Sequence, residues 1–382
     1  MFNLLLAVTA KTVFTNIGYV LLALFALMLM IIIHECGHYL AGKLLGFKID
    51  EFAIGMGPKI FKHTNKETGE LFSIRCLPVG GFCGFHGEDE EGGNDPLAFN
   101  NQKPWKRLIV LFSGAFFNFL SAILIITIFF SVYGQILPTV TDVYETGRAY
   151  AEGTFQKGDI IISVNGNPVN ILLEEDLANF LKDAGDSAKI RVLRRTVNER
   201  GKTKFEVVKF TATKGDYSYE AKIYDEEGND TGATETKTSY GFGIQRGAEQ
   251  VKLPFFRAAG RAIPFCFFVV FKILASLGAL ITGKMALSSA GGTITAIRTI
   301  SEVSKAGFSS FMYVLCILSA NLAVMNLLPF PALDGSRMVF TLIEMIFKKP
   351  VPRKVEAVIH LVGFIILIGL TVFLDIFNLI KN

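Results

Sequence analysis

Apolar residues along the 382-residue chain come in blocks rather than in an even mixture. The blocks run from about Ile17 to Ile33, Leu108 to Tyr133, Pro254 to Ile281, Phe308 to Leu328 and Val358 to Leu374. The first continues with helical periodicity through His34 to Leu45. A bilayer crossing needs about 20 apolar residues. Four blocks meet that need and carry few charges. The remaining one, Pro254–Ile281, contains Arg257, Arg261, Pro264 and Lys272, and reads as an amphipathic helix lying at the interface. The pattern therefore predicts a polytopic α-helical membrane protein with about four transmembrane helices and one interfacial helix.

The stretches between the blocks differ from one another. The loop from Phe47 to about Lys106 is polar and glycine-rich and holds two strand-like runs, Phe52–Phe61 and Leu71–Leu77, predicting a membrane-associated β-hairpin. Residues 138–249 are charged and mixed in pattern, as in a soluble domain. There, Lys204–Ala212 and Tyr217–Tyr224 read as strands, with turn signals at Lys214-Gly215-Asp216 and Gly228-Asn229-Asp230. The expected organisation is an N-terminal membrane core over 1–135, an extracytoplasmic α+β domain over 136–250, an interfacial helical region over 251–305 and a C-terminal membrane core over 306–382.

Composition agrees with that division. The chain is 51% hydrophobic and only 19% charged, too apolar for an ordinary soluble enzyme, and its net charge of +4 is too small to argue for a nucleic-acid partner. None of the five cysteines lies in the polar middle, so no disulfide framework is expected there. The first apolar block runs into His34 and Glu35 rather than into a small-residue cleavage site, unlike a signal peptide. Lysine and arginine crowd the 47–106 and 335–357 loops, including Lys48, Lys59, Arg75, Arg107, Arg337 and Arg353. Both loops are expected in the cytoplasm, and four spans then place 138–249 and both termini outside. The acidic run Glu88–Glu91 counts little in that rule.

Chemistry concentrates at His34-Glu35-Cys36-Gly37-His38. On a helix, positions i and i+4 share a face, so both imidazoles can reach one metal ion. Glu35 stands beside them, placed to take a proton from an attacking water. This is the H-E-x-x-H arrangement of zinc hydrolases, so Zn2+ is the expected cofactor. Three ionisable groups ending an apolar helix each cost about 2.5 kcal/mol or more if unpaired, and a divalent cation compensates them.

Two histidines leave a catalytic zinc one protein ligand short. Leu44 stands where the extended H-E-x-x-H motif would place a third histidine, and Asp50 and Glu51 belong to the polar loop. Asp334, in Asn326-Leu-Leu-Pro329-Phe-Pro331-Ala-Leu-Asp334-Gly335, ends a span on the same side as His34 and His38. The prolines break the helix there and let Asp334 turn toward the metal. His360, Glu344 and Asp375 are weaker candidates, and His63 and His86 read as solvated loop residues.

Taken together, these motifs resemble the site-2 protease family of intramembrane zinc metalloproteases, in particular its bacterial regulator-of-sigma-E branch. Glu51-Phe-Ala-Ile-Gly-Met-Gly57-Pro-Lys, Leu77-Pro-Val-Gly80-Gly81-Phe and Ser113-Gly114-Ala115-Phe-Phe-Asn118 extend the likeness, and Gly158-Asp159-Ile-Ile-Ile-Ser-Val-Asn165-Gly166 is similar to the core of a PDZ domain. The resemblance implies that His34, His38 and Asp334 bind zinc, that Glu35 is the general base and that Asn326 holds substrate backbone near the metal. It implies substrates that are single-pass membrane proteins, such as anti-sigma factors or remnant signal peptides, cut in the plasma membrane from an active site toward the cytoplasm. Two positions depart from the family pattern: Ser336 replaces a glycine and Ala115 a proline. Tyr240-Gly241-Phe242-Gly243 resembles a carboxylate-binding loop, though late in the domain for one.

Cleaving a helix requires unwinding it, because its peptide bonds are closed in i→i−4 hydrogen bonds. A strand edge supplies replacement partners. The hairpin after the first span is the natural source, with Ile54 and Ile74 as edge donors and Gly55 and Gly57 allowing close approach. Two other readings compete: a metal-binding transporter, since intramembrane His and Asp also mark ion pathways, and an inactive PDZ scaffold. Glu35 directly after His34 disfavours the first, and the intact His34, Glu35, His38 and Asp334 set disfavours the second.

Overall fold

The computed structural model describes residues 2–88, 95–197, 201, 203–224, 230–286 and 290–381. Gly228-Asn229 and the acidic run beyond Glu88 lie outside the described residues. The chain divides into two compact units, one of residues 1–126 and 266–382 and one of residues 127–265.

The first unit begins with α1 (Phe2–Leu45), which leads into two long strands, β1 (Ile49–Thr64) and β2 (Leu71–Phe85). Helix α2 (Pro104–Val132) follows. It runs antiparallel to α1: Lys106 Nζ donates to the Leu45 carbonyl, and His38 Nδ1 lies 2.8 Å from the Val110 carbonyl.

The strands of the second unit are β3 (Gln135–Val143), β4 (Ile160–Val164), β5 (Asn167–Pro168), β6 (Ser187–Val197), β7 (Thr203–Thr213), β8 (Gly215–Tyr224), β9 (Asp230–Gly241) and β10 (Ile244–Val251). Short helices α3 (Arg148–Ala151) and α4 (Glu174–Asn179) interrupt them. The order β10-β3-β4-β6-β7, with β5 on β4, makes one antiparallel sheet, and β8 and β9 form a separate hairpin. Alternate residues of these strands, including Val140, Ile161, Ile190 and Val192, close on Phe155 and Phe242 in a common core. The hairpin explains the length between Arg194 and Lys237: it is an extension beyond the sheet.

Returning to the first unit, α5 (Phe255–Ile281) is followed by α6 (Thr293–Lys305), α7 (Phe308–Leu327), α8 (Asp334–Phe347) and α9 (Arg353–Lys381). Helix α7 is antiparallel to α2, since Ser319 Oγ donates to the Asn118 carbonyl at 2.7 Å and Cys316 Sγ reaches the Ala122 carbonyl. Where α1 meets α6 and α7 the contact is apolar, with Ala23, Ala26, Met30, Ile300, Phe311 and Leu315 buried together. Small residues on α1 let its neighbours approach closely, the usual basis of helix packing in lipid.

Among the described residues, five helices are long and apolar enough to cross a membrane, at Thr15–Leu45, Pro104–Val132, Phe255–Ile281, Phe308–Leu327 and Arg353–Ile380. The expectation of four leaves out Phe255–Ile281, because of its charges. Arg257 and Arg261 lie at the start of α5, and the Arg261 guanidinium is spent inside the second unit, donating to Gln135 and to the Ile162 and Val169 carbonyls. The remaining cation, Lys272, lies over the Phe268 ring.

Candidate metal centre

Three side chains from distant parts of the sequence converge at the end of α1. His34 Nε2 lies 2.9 Å from Asp334 Oδ2, His38 Nε2 lies 3.3 Å from the same oxygen, and the two Nε2 atoms are 3.1 Å apart. Among the described residues this is the one cluster of three or more His, Cys, Asp or Glu side chains able to hold a metal ion. Both histidines are buried and Asp334 is partly so.

Each of the three side chains has a local reason for its place. His34 and His38 are one helical turn apart on a helix whose apolar residues continue up to them. Their ring planes stand at 86° to each other, so the two Nε2 atoms converge rather than stack. Helix α2 passes directly over them. A Cβ at Gly37 would lie 2.5 Å from the Ser113 carbonyl oxygen, and one at Gly114 would lie 2.5 Å from His38 Nε2. Only glycine fits at either crossing.

Asp334 is the first residue of α8, reached through Leu328–Leu333. That connection is held from several directions. Ala332 has a φ of +81°, unusual for a residue with a side chain, and its N–H donates to His360 Nδ1 at 3.0 Å. A Cβ at Gly335 would meet the Leu328 carbonyl oxygen at 2.2 Å, so α8 starts hard against the end of α7. Ser336 Oγ donates to the Leu333 carbonyl, so the residue in place of the family glycine closes the first turn of α8. His360 therefore braces the Leu328–Leu333 connection and lies outside the cluster.

The donor set fits zinc. A tetrahedral ion with bonds of about 2.0–2.1 Å puts neighbouring ligand atoms about 3.3 Å apart. The three observed separations of 2.9, 3.1 and 3.3 Å are near that value. His38 Nδ1 is engaged by the Val110 carbonyl, which leaves Nε2 as the metal-facing nitrogen.

Glu35, the next residue along α1 from His34, faces β2. A Cβ on Gly81 would sit 3.6 Å from Glu35 Cγ. The loop acids are committed elsewhere: Glu51 accepts from Ser73, Lys59 and Arg75, and Asp50 pairs with His86. These bonds hold the Glu51 carboxyl below its usual range, against a burial effect that is the largest single influence and raises it. His86 keeps part of its side chain exposed, as expected of a loop residue, and also bridges Asp50 and Asp95 at 3.0 and 2.9 Å. Among the weaker candidates, Glu344 pairs with Arg107, and Asp375 caps the start of α6 through the Ile294 and Thr295 amides. Neither belongs to the cluster.

The strand residues fall differently from the sequence expectation. Residues 51–54 have partners on both sides, 71–74 and 81–84, and Ile74 is paired with both Ile54 and Phe61. Ile54 and Ile74 are therefore interior to the sheet, not edge donors. The segment bordering Glu35 is Gly81–Gly84, paired with 51–54. Gly55 and Gly57 have φ near +85°, and a Cβ at Gly55 would lie 2.5 Å from the Leu77 carbonyl oxygen, so they make the bend rather than an open approach. Asn326 is half-buried on the last turn of α7. In the second unit, Tyr240, Phe242, Gly243 and Ile244 line a groove with Ala178 and Leu181. The late position of that segment in the domain's sequence is no bar to its place on the groove.

Most of the chain is similar to known proteins. Residues 22–370 match peptidase family M50. A protein of Clostridium perfringens is 30% identical over 371 residues, covering 95% of this chain and 98% of its own length. One from Fusobacterium nucleatum is 30% identical over 356 residues, covering 91% and 94%, and one from Clostridium acetobutylicum is 29% identical over 371 residues, covering 94% and 96%. All three are assigned by name as zinc metalloproteases. With an H-E-x-x-H helix, a distant aspartate brought to it and a family match over most of its length, the chain belongs to peptidase family M50, the site-2 protease family of zinc metalloproteases.

Proposed function

We propose that this metalloprotease hydrolyses peptide bonds within the transmembrane segments of single-pass membrane proteins. His34, His38 and Asp334 would hold zinc, and Glu35 would act as general base. The observation that carries this reading is the convergence of His34, His38 and Asp334 at the end of a membrane-crossing helix, with Glu35 adjacent. Zinc, when bound, supplies electrophilic polarisation of the scissile carbonyl and makes water acidic enough to attack near neutral pH. Glu35 takes the proton from that water and delivers it to the leaving nitrogen.

Substrate backbone must be unwound beside Glu35. The Gly81–Gly84 segment borders it, and glycine there lets another backbone come close. Asn326, one turn before the ligand loop, is suited to hold a freed substrate amide. A substrate span broken by Gly, Pro or Asn should be cut faster than a poly-Leu span, because less helix has to be undone.

Helix directions support the sidedness read from the positive loops. Helices α1 and α7 run parallel, and α2 runs against both, so the end of α2 and the start of α7 share one side. The chain between them must cross an even number of times. Helix α6, with 13 residues, is about 20 Å long and too short to return a full crossing by α5. That supports four full spans, with α5 and α6 entering without crossing and the active site toward the cytoplasm. The domains would then be the membrane core of 1–135 and 306–382, an interfacial region at 251–305 and an extracytoplasmic PDZ-like domain at 136–250. In that domain the groove between α4 and β10 would take a peptide, with Lys214 and Arg246 near it.

The test of the substrate class is to compare the membrane proteomes of cells carrying the wild-type chain and Glu35→Gln. Single-pass proteins or signal-peptide remnants should accumulate in the variant. Accumulation confined to soluble proteins would overturn the proposal. A transporter reading would instead show metal movement across vesicles that survives Glu35→Gln.

A further inference from the structure

Asn118 is fully buried on α2, yet neither atom of its carboxamide has a hydrogen-bond partner among the described residues. Its backbone is engaged, accepting from Ser121 and Ser319. Burying an amide without partners is costly, so an orphaned carboxamide at such a position calls for an explanation. A second orphan lies on the facing helix α1. His34 Nδ1 is buried and also unpaired among the described residues, whereas His38 Nδ1 has the Val110 carbonyl.

The helix register brings the two orphans together. Val110, Gly114 and Asn118 follow one another at intervals of four on α2, so they share a face. Val110 meets His38, and Gly114 meets both imidazoles. Because α1 and α2 are antiparallel, Asn118 falls opposite the turn of α1 just before His34. Side chains lean toward the N-terminus of their own helix. The Asn118 carboxamide therefore leans back toward Gly114, which has no side chain to block it. The His34 ring leans over the α1 turn that Asn118 faces.

We propose that Asn118 is a positioning residue for the metal centre, its Oδ1 accepting the His34 Nδ1–H directly after a side-chain rotation or through one bridging water. With Nε2 turned to the metal, Nδ1 must carry the proton and needs an acceptor. Asn118 would fix that tautomer and the ring's orientation. The proposal rests on His34 being a ligand.

The test uses the full chain in detergent, with zinc affinity read by competition against a chromophoric chelator and apo stability read by thermal melting. Asn118→Leu keeps the volume and removes the acceptor, and Asn118→Asp keeps the acceptor. We expect Asn118→Leu to weaken zinc by about 10–100-fold, with the apo melting point held or raised. Asn118→Asp should restore affinity to wild type or better. Unchanged zinc affinity in Asn118→Leu would overturn the proposal. So would an apo protein that melts lower or fails to fold with Leu, since that marks a packing role, or a failure of Asp to restore binding. His34→Ala separates the two levels: if it leaves zinc affinity intact, the ligand assignment itself fails.

Discussion

The site of a Cβ on Gly114 lies 2.5 Å from His38 Nε2, closer than any side chain can sit. Helix α2 thus forms the lid of the metal centre, and its closeness sets where both imidazoles point. Gly114→Ala should push the helices apart or rotate the rings out of convergence. The expected result is a loss of bound zinc of about tenfold or more, with the protein still inserted in the membrane. Metal analysis of the purified variant checks it, and wild-type zinc content would mean that the rings tolerate a wider crossing.

In the second unit, Asp159 is buried and paired with Arg194 through two bonds of 2.8 and 2.7 Å, while also accepting the Gln156 amide. Removing one member of a buried pair strands the other, at a cost of about 3–5 kcal/mol. Asp159→Ala should therefore lower the unfolding midpoint of this unit strongly. Denaturant melts followed at residues of the unit would show it, and a change below about 1 kcal/mol would mean that water serves Arg194 as well as Asp159 does.

His86 stands between two carboxylates, and hydrogen bonds first to Asp95 and then to Asp50 raise its pKa above 6.5. Since the folded value is raised, the contribution of this bridge is full below the unfolded pKa. It is lost as pH rises through the folded one. NMR titration of labelled histidine should place His86 above 6.5, and Asp95→Asn should move it back down. An unshifted midpoint in both proteins would remove the bridge from the account.

Sidedness can be read by labelling, in a chain whose exposed Cys76 is first changed to Ser. A cysteine in place of Asp230 should react from outside the cell, and one in place of Lys66 only from the cytoplasm. The reverse pattern would overturn the orientation, and with it the direction in which substrates present themselves.

Much of the metal centre is legible in the order of residues alone. His34 and His38 announce themselves by helical spacing, and Asp334 by ending a span at the same depth. Long-range packing is less visible. Ser113-Gly114-Ala115 can be picked out as a motif, but nothing local says that Gly114 touches the imidazoles across 76 residues of sequence (114 − 38). Ile54 and Ile74 read as edge donors because a two-run pattern implies a plain hairpin. The observed sheet folds back on itself and puts both inside, a register set by the bends at Gly55 and Gly57. Arg261 reads from sequence only as a charge on an apolar helix; its partners, the Ile162 and Val169 carbonyls about a hundred residues away, are invisible there. His360 stands apart from the ligands in both readings, but its bond to Ala332 depends on a positive φ that sequence does not show.

The central claim is that Glu35 moves the proton while His34, His38 and Asp334 hold the metal. Its most direct test is Glu35→Gln in the purified full-length protein, with zinc content and cleavage of a helix-broken transmembrane substrate measured on the same sample. The amide keeps the shape of the side chain but cannot take a proton. Zinc at the wild-type level with cleavage reduced by about 100-fold or more is the predicted result. Cleavage that persists in Glu35→Gln, whatever its zinc content, would contradict the assignment.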